Sequence, residues 1–349
     1  MTLNIARRSY DLPFELDKAA MSILRVQRQS GEIPWSEGNV TDPWDMVESL
    51  MGLSVAGYLD QAKTGFDWLV KNQLGDGSWY SNYRDGVPAD RTRETNMTAY
   101  IAVGVYHHYL ITGDISFLDA MWDTVASAID FSLSLQTGEG AVNWAFSPEG
   151  HADPVALLTG CSSIFMSVKC ALRIAEALGQ KQPEWKLALS KLGNAIRTKP
   201  HLFDASKSRY SMDWFYPILC GAVSGADARR RISRYWEKFV VMGMGVRCVS
   251  DRPWVTFAES SELILALHAM GNRQLAKGIF GWIVNKRYAD GSYWCGETFP
   301  DSVVWPEEKM TWTNAVVLMA ADAVYGITAA GKLFDHDFWR STHKLVRVK

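Results

Sequence analysis

Five polar clusters punctuate this sequence, each leading into a markedly apolar stretch: DPWDMVE (42–48), DRTRETN (90–96), SMDW (211–214), SDRPWVTFAES (250–260) and PEEKMTW (306–312). Asp45 and Glu48 are three residues apart, so a helix places both on one face. Glu259 and Glu262 repeat that spacing ahead of ILALHAMG, Glu94 opens a stretch with little other charge, and Asp213 lies between Met212 and Trp214. A carboxylate in such surroundings costs several kcal/mol unless it is paired, hydrogen-bonded or protonated. A raised pKa follows, which suits general-acid chemistry. Asp45, Glu48, Glu94, Asp213, Asp251 and Glu259 are therefore the candidate catalytic carboxyls. The competing reading pairs these acids with Arg93, Arg247 or Arg252 in salt bridges that hold neighbouring helices together. Asp42, Asp153 and Asp251 also fit helix N-caps, and Glu307 and Glu308 fit a first helical turn.

Trp44, Trp214, Trp254, Trp305 and Trp312 stand beside these acids. Their faces can stabilise a developing cation, stack on a sugar ring, or simply pack at a rim. With Arg93, Asn96, Arg252 and Glu308 they form the candidate substrate-binding set. His107, His108 and His268 lie deep in apolar stretches and read as satisfied interior histidines. The five cysteines show no Cys-x-x-Cys pair and read as buried reduced thiols. No phosphate-cradling Lys-Ser/Thr follows GDGSW or ADGSYW. Neither a metal nor a cofactor is expected.

The elements that position these clusters recur as one unit. An amphipathic helix ends at a glycine turn, a polar loop follows, and a more apolar helix opens near Asp42–Pro43, Glu94, Asp153–Pro154, Asp213, Arg252–Pro253 and Lys309. Segments such as 116–136 and 227–240 carry charge on one face, as an outer layer would. The pattern predicts an all-α (α/α)6 toroid over residues 1–349, with 332–349 as a tail and no strand long enough to need a sheet. Alternating outer and inner helices direct all six inner N-termini to one mouth, where the scattered clusters converge and helix dipoles favour anionic groups. Net charge of −2 and a pI near 6.4 argue against a nucleic-acid partner or a membrane surface. Uncharged apolar runs reach about 15 residues, short of a membrane span. The N-terminus shows no signal peptide, so a cytoplasmic location is expected.

The turn KTGFDWLVKNQLGDGSW (63–79) resembles the QW repeat of the terpenoid cyclase and protein prenyltransferase toroids. Weaker copies occur at 26–35, 131–144 and 277–294. In that superfamily the glutamine bonds neighbouring backbone and the tryptophan stacks on it. The resemblance implies an enzyme acting by acid catalysis on an isoprenoid-type substrate in an aromatic cavity. The superfamily's Asp-x-Asp-Asp and Asp-Asp-x-x-Asp runs and its zinc ligands are absent. TGDISFLDAMWDTVASAIDF (112–131) resembles six-hairpin glycosidases, which implies instead a saccharide substrate and two carboxylates at the mouth. A non-catalytic toroid that binds a ligand is the third expectation.

Overall fold

The computed structural model describes Leu12 and residues 14–345. Six outer helices, α1 (Leu16–Leu24), α3 (Leu59–Asn72), α6 (Ile115–Ser134), α8 (Pro183–Thr198), α10 (Gly225–Phe239) and α12 (Arg273–Ile283), alternate with an inner set. The inner set is α2 (Pro43–Val55), α4 with α5 (Thr95–Ala99, Ile101–Thr112), α7 (Leu158–Ala177), α9 (Ser211–Leu219), α11 (Phe257–Ala269) and α13 (Thr311–Tyr325). A further helix, α14 (His336–Leu345), follows the sixth pair. The expected (α/α)6 toroid is the fold.

Residue distribution explains the two layers. In α11 nearly every side chain is buried, whereas in α10 only Ala228, Ile232 and Phe239 are. The first helix must therefore be surrounded, and the second needs cover on one face only. The ring closes through successive inner contacts, α2 on α5, α5 on α7, α7 on α9, α9 on α11, α11 on α13 and α13 on α2. At the closing contact the helices nearly touch: a Cβ on Gly52 would lie 2.6 Å from the Ala315 Cα. α7 is long and apolar enough to cross a membrane by composition, but it packs among α5, α6, α8 and α9 as an inner-ring helix.

Three glutamines at the exits of outer helices tie each hairpin to the next. Gln27 Nε2 donates to Gly31 O and, at 2.9 Å, to Gln61 O in α3. Gln73 Nε2 donates to Gly77 O and to Thr124 O in α6, both at 2.9 Å. Gln136 Nε2 donates to Gly140 O and to Ala188 O in α8, both at 3.0 Å. Each amide thus satisfies a turn carbonyl and a carbonyl of the neighbouring outer helix. Trp79 is buried and donates its indole N–H to Leu69 O at 2.8 Å.

The expectation of no sheet is corrected. Val240–Val241, Gly245–Arg247, Trp254–Thr256 and Gly296–Thr298 pair in that order as an antiparallel sheet beside the mouth, and two further two-stranded ladders occur. Strands of two to four residues are too short to show alternation. Two helix starts move as a result. α11 begins at Phe257, after a strand, so Arg252–Pro253 lies outside it. α7 begins at Leu158, so Asp153 caps a turn at Val155 N rather than the helix. Asp42 does cap α2, accepting from Asp45 N with Pro43 at the first helical position.

Candidate active site

Two inner helices present matching pairs of acids. Asp45 is the third residue of α2 and Glu259 the third of α11, both half-buried, and Glu48 and Glu262 lie one turn deeper and are buried. The deeper carboxyls sit on an aromatic floor. Trp44 Nε1 donates to Glu48 Oε1 at 2.8 Å, Tyr100 OH donates to the same oxygen at 3.4 Å, and Tyr216 OH donates to Glu262 Oε1 at 3.0 Å. Trp44 stacks on Tyr100 with ring centroids 5.1 Å apart and tilts against Tyr216 at 5.7 Å. α13 lies between α11 and α2 in the ring. The two acid pairs are close enough for their charges to act on one another: Glu48 and Glu262 on Asp45, Glu259 on Glu48, and both Glu48 and Glu259 on Glu262.

Burial sets the proton occupancy of these groups. Loss of water pushes Glu48 up to about 8, and the charges of Asp42 and Glu259 push in the same direction against its hydrogen bonds. Glu262 is held well above the usual carboxylate range by desolvation first, then by the Glu48 and Glu259 charges. Asp45 is raised strongly by desolvation and by the Asp42, Glu48 and Glu262 carboxylates. Asp42 is itself raised by burial and accepts the Trp35 indole N–H. Among the described residues no cation lies within ion-pair distance of Asp45, Glu48, Glu259 or Glu262, and the arginines expected to neutralise them are engaged elsewhere. Arg93 pairs with Asp76 at 2.5 Å and lies over the Phe146 ring, and Arg247 donates to Ser250 O. Carboxyls packed together without cations share protons, and a proton held in this way can be given to a leaving group.

The other candidates divide. Glu94 precedes α4, accepts from Ser81 Oγ at 3.2 Å and is pushed by burial to about 7. Asp213 ties two inner helices together, accepting Thr159 N at 3.2 Å and Thr159 Oγ1 at 2.6 Å. Asp251 pairs with Arg209 at the exposed surface. Trp214 does not face the mouth: it is buried, donates to Arg231 O and stacks on Phe239 of the outer helix α10 at 5.3 Å. Asn96 is buried where α4 meets Gly160 of α7. Trp254 donates its indole N–H to Trp305 O at 2.8 Å and meets the exposed Trp305 ring edge-on, which forms an aromatic rim. Trp312 packs edge-on against Trp35. Glu308 is exposed and accepts from Ser36 and Asn39, and Arg252 is exposed.

Sequence reasoning did not single out Tyr100 and Tyr216. Both lie within inner-helix bodies, where a tyrosine looks like core until the carboxyl beneath its hydroxyl is located. Two of the three histidines are satisfied as expected. His108 Nδ1 shares a hydrogen bond with Ser54 Oγ at 2.9 Å and His268 Nδ1 one with Asp335 at 2.8 Å. His107 departs from that reading, since its buried Nδ1 has no partner among the described residues. The cysteines are free, with all but Cys248 buried.

An (α/α)6 toroid with neighbouring carboxyls over an aromatic floor has the groups that glycosidic cleavage requires. The chain is 48% identical, over 322 residues covering 92% of it and 89% of the relative, to MMP endo-(1,4)-3-O-methyl-α-D-mannosidase of Mycolicibacterium hassiacum. It belongs to that family. An uncharacterised glycosyl hydrolase of Methanocaldococcus jannaschii is 25% identical over 156 residues, covering 42% of this chain and 24% of the relative. Among solved structures, a wild-type glycosidase superposes with a TM-score of 0.65 at 16% identity, covering 90% of this chain and 96% of that one. A GH63 mannosylglycerate hydrolase of Thermus thermophilus superposes at 0.69 with 12% identity over 87% and 99%, and a D-mannose isomerase at 0.64 with 11% over 89% and 95%. At those identities the likeness is one of fold. No family model matches the chain.

The terpenoid cyclase and prenyltransferase expectation, with its isoprenoid substrate, is overturned by this relationship. Its physical origin is visible in Gln73 and Gln136. An amide at an outer-helix exit bonds a turn carbonyl and a carbonyl of the neighbouring outer helix, and a turn built that way resembles the QW repeat whatever chemistry the mouth performs.

Proposed function

We propose that this protein cleaves α-mannosidic linkages within a 3-O-methylated mannose oligosaccharide. Asp45 is the proton donor to the glycosidic oxygen and Glu259 the second carboxyl. The observation that carries the reading is the 48% identity to an endo-acting 3-O-methyl-α-mannosidase along nearly the whole chain. The site supports it chemically. Asp45 is half-buried beside three other carboxyls that favour its protonated form, as a general acid requires. Glu259, at the equivalent position on α11, provides the second carboxyl that glycosidic cleavage needs, as a base activating water or as a nucleophile. Trp44 and Tyr100 offer a stacked aromatic surface for a sugar ring, and Glu48 and Glu262 hold that floor in place through Trp44, Tyr100 and Tyr216.

The test is release of new reducing ends from α-(1→4)-linked 3-O-methylmannose oligosaccharides, with unmethylated α-mannosides and α-glucosides run in parallel. Turnover restricted to the methylated mannosides, and lost in Asp45→Asn and Glu259→Gln, is the expected result. A folded wild-type protein inactive on every methylated mannoside overturns the substrate class. Full activity in either variant overturns the residue assignment.

A further inference from the structure

At the end of the ring opposite the mouth, α14 faces the C-terminal half of α7 and the start of α8 across a cavity of about 890 Å³. Its walls are strongly one-signed. Lys169, Arg173, Lys181, Lys186 and Arg340 line it, against the single lining carboxylate of Glu176, which Arg173 engages, while Arg340 makes an exposed pair with Asp337 one turn earlier in α14.

Lys169 is the telling residue. It arises from the inner helix α7, its ammonium lies 4.2 Å from the centroid of the Trp339 ring, and it donates to Cys220 O at 3.3 Å. Among the described residues no carboxylate comes within ion-pair distance of it. Burial pushes this ammonium down to about 8. A largely desolvated cation facing a cavity, held by one carbonyl and the faces of Trp339 and, at 5.6 Å, Phe165, lacks the counter-charge that buried cations ordinarily have. The cavity also has an apolar wall, formed by Phe165, Leu172, Leu189 and Trp339. Nothing in the proposed reaction uses this space.

We propose that this cavity binds a small phosphate-bearing organic molecule, with the phosphate among Lys169, Arg173 and Arg340 and the organic body against Trp339 and Leu172. Two guanidinium forks and an ammonium match the several oxygens and the double charge of a phosphate ester better than a single carboxylate. The adjoining aromatic and aliphatic wall would gain little from inorganic phosphate and more from a ring or chain attached to it.

Calorimetric titration of the full chain with phenyl phosphate, inorganic phosphate and benzoate tests this. Phenyl phosphate is expected to bind at least about tenfold more tightly than either of the others. Lys169→Met with Arg173→Gln, and separately the surface variant Arg340→Gln, should each weaken it by about tenfold or more. Binding should be unchanged in Asp45→Asn, which places the ligand away from the mouth. Absence of phenyl phosphate binding at millimolar concentration, equal affinity for benzoate, or unaltered binding in folded Arg340→Gln overturns the proposal.

Discussion

Asp45 and Glu259 hold the same helical position, third in α2 and third in α11, and each stands one turn above a buried carboxyl that an aromatic donor engages. This symmetry separates the four acids by role. The upper two are half-buried and accessible to a substrate at the mouth, and the lower two are committed to the floor.

Replacing the upper acids should remove activity without harming the fold. Asp45→Asn and Glu259→Gln are each expected to lower kcat by about 10²–10⁴-fold, the range general acid–base groups contribute. Asp45→Asn should also melt no lower than wild type, because it removes a carboxyl that burial and its neighbours disfavour. Rates on a methylated mannoside, taken with thermal melts, check both.

Wild-type activity should fall on the alkaline side as the raised Asp45 carboxyl loses its proton. The alkaline limb of a kcat/KM profile should therefore lie well above the ordinary carboxylate range. A profile flat across that region would remove Asp45 from the acid role.

Glu48 makes stability depend on pH with a definite sign. Its pKa rises from 4.5 to about 8 on folding, so between those values the folded state keeps a proton that the unfolded chain has released. Stability therefore falls as pH rises from about 5 to 8 and levels off above that. Glu48→Gln keeps an oxygen to accept from Trp44 and removes the titration. Its melting temperature should exceed that of wild type at pH 8, and the gap should close towards pH 5. Melts across that window decide it.

Gln73 tests the reading of the QW-like turns. Gln73→Ala leaves Gly77 O and Thr124 O without their donor and should cost about 1–3 kcal/mol of stability. kcat at a temperature well below the melt should stay at the wild-type value, since the residue lies at an outer-helix exit. A catalytic loss without destabilisation would contradict the structural role.

Much of the toroid follows from local sequence. Helices such as α11, apolar on nearly every face, must be enclosed, helices such as α10 need cover on one side, and alternating the two gives the layers and the common mouth. Asp42 followed by Pro43 marks the start of α2 by itself, because a side-chain cap and a fixed first-turn φ act within a few residues. The i, i+3 spacing of Asp45 with Glu48 and of Glu259 with Glu262 likewise announces a shared face. Other relationships depend on contacts between distant segments. Asp153 resembles Asp42 as a cap, yet α7 starts later because Asp153 and its neighbours join a turn instead. Asp213 and Trp214 sit at the head of an apolar helix as Asp45 and Trp44 do, but one bonds Thr159, 54 residues away in the chain, and the other turns outward onto α10. Tyr100 and Tyr216 join the site only because the ring sets their hydroxyls against Glu48 and Glu262, and the cation-lined cavity arises only where α14 returns to α7. Capping and helical periodicity are short-range, so the sequence by itself determined the elements and their exposed faces. Which acid meets water, which meets a donor and which meets a neighbouring helix depends on rotations and separations that only the closed ring defines.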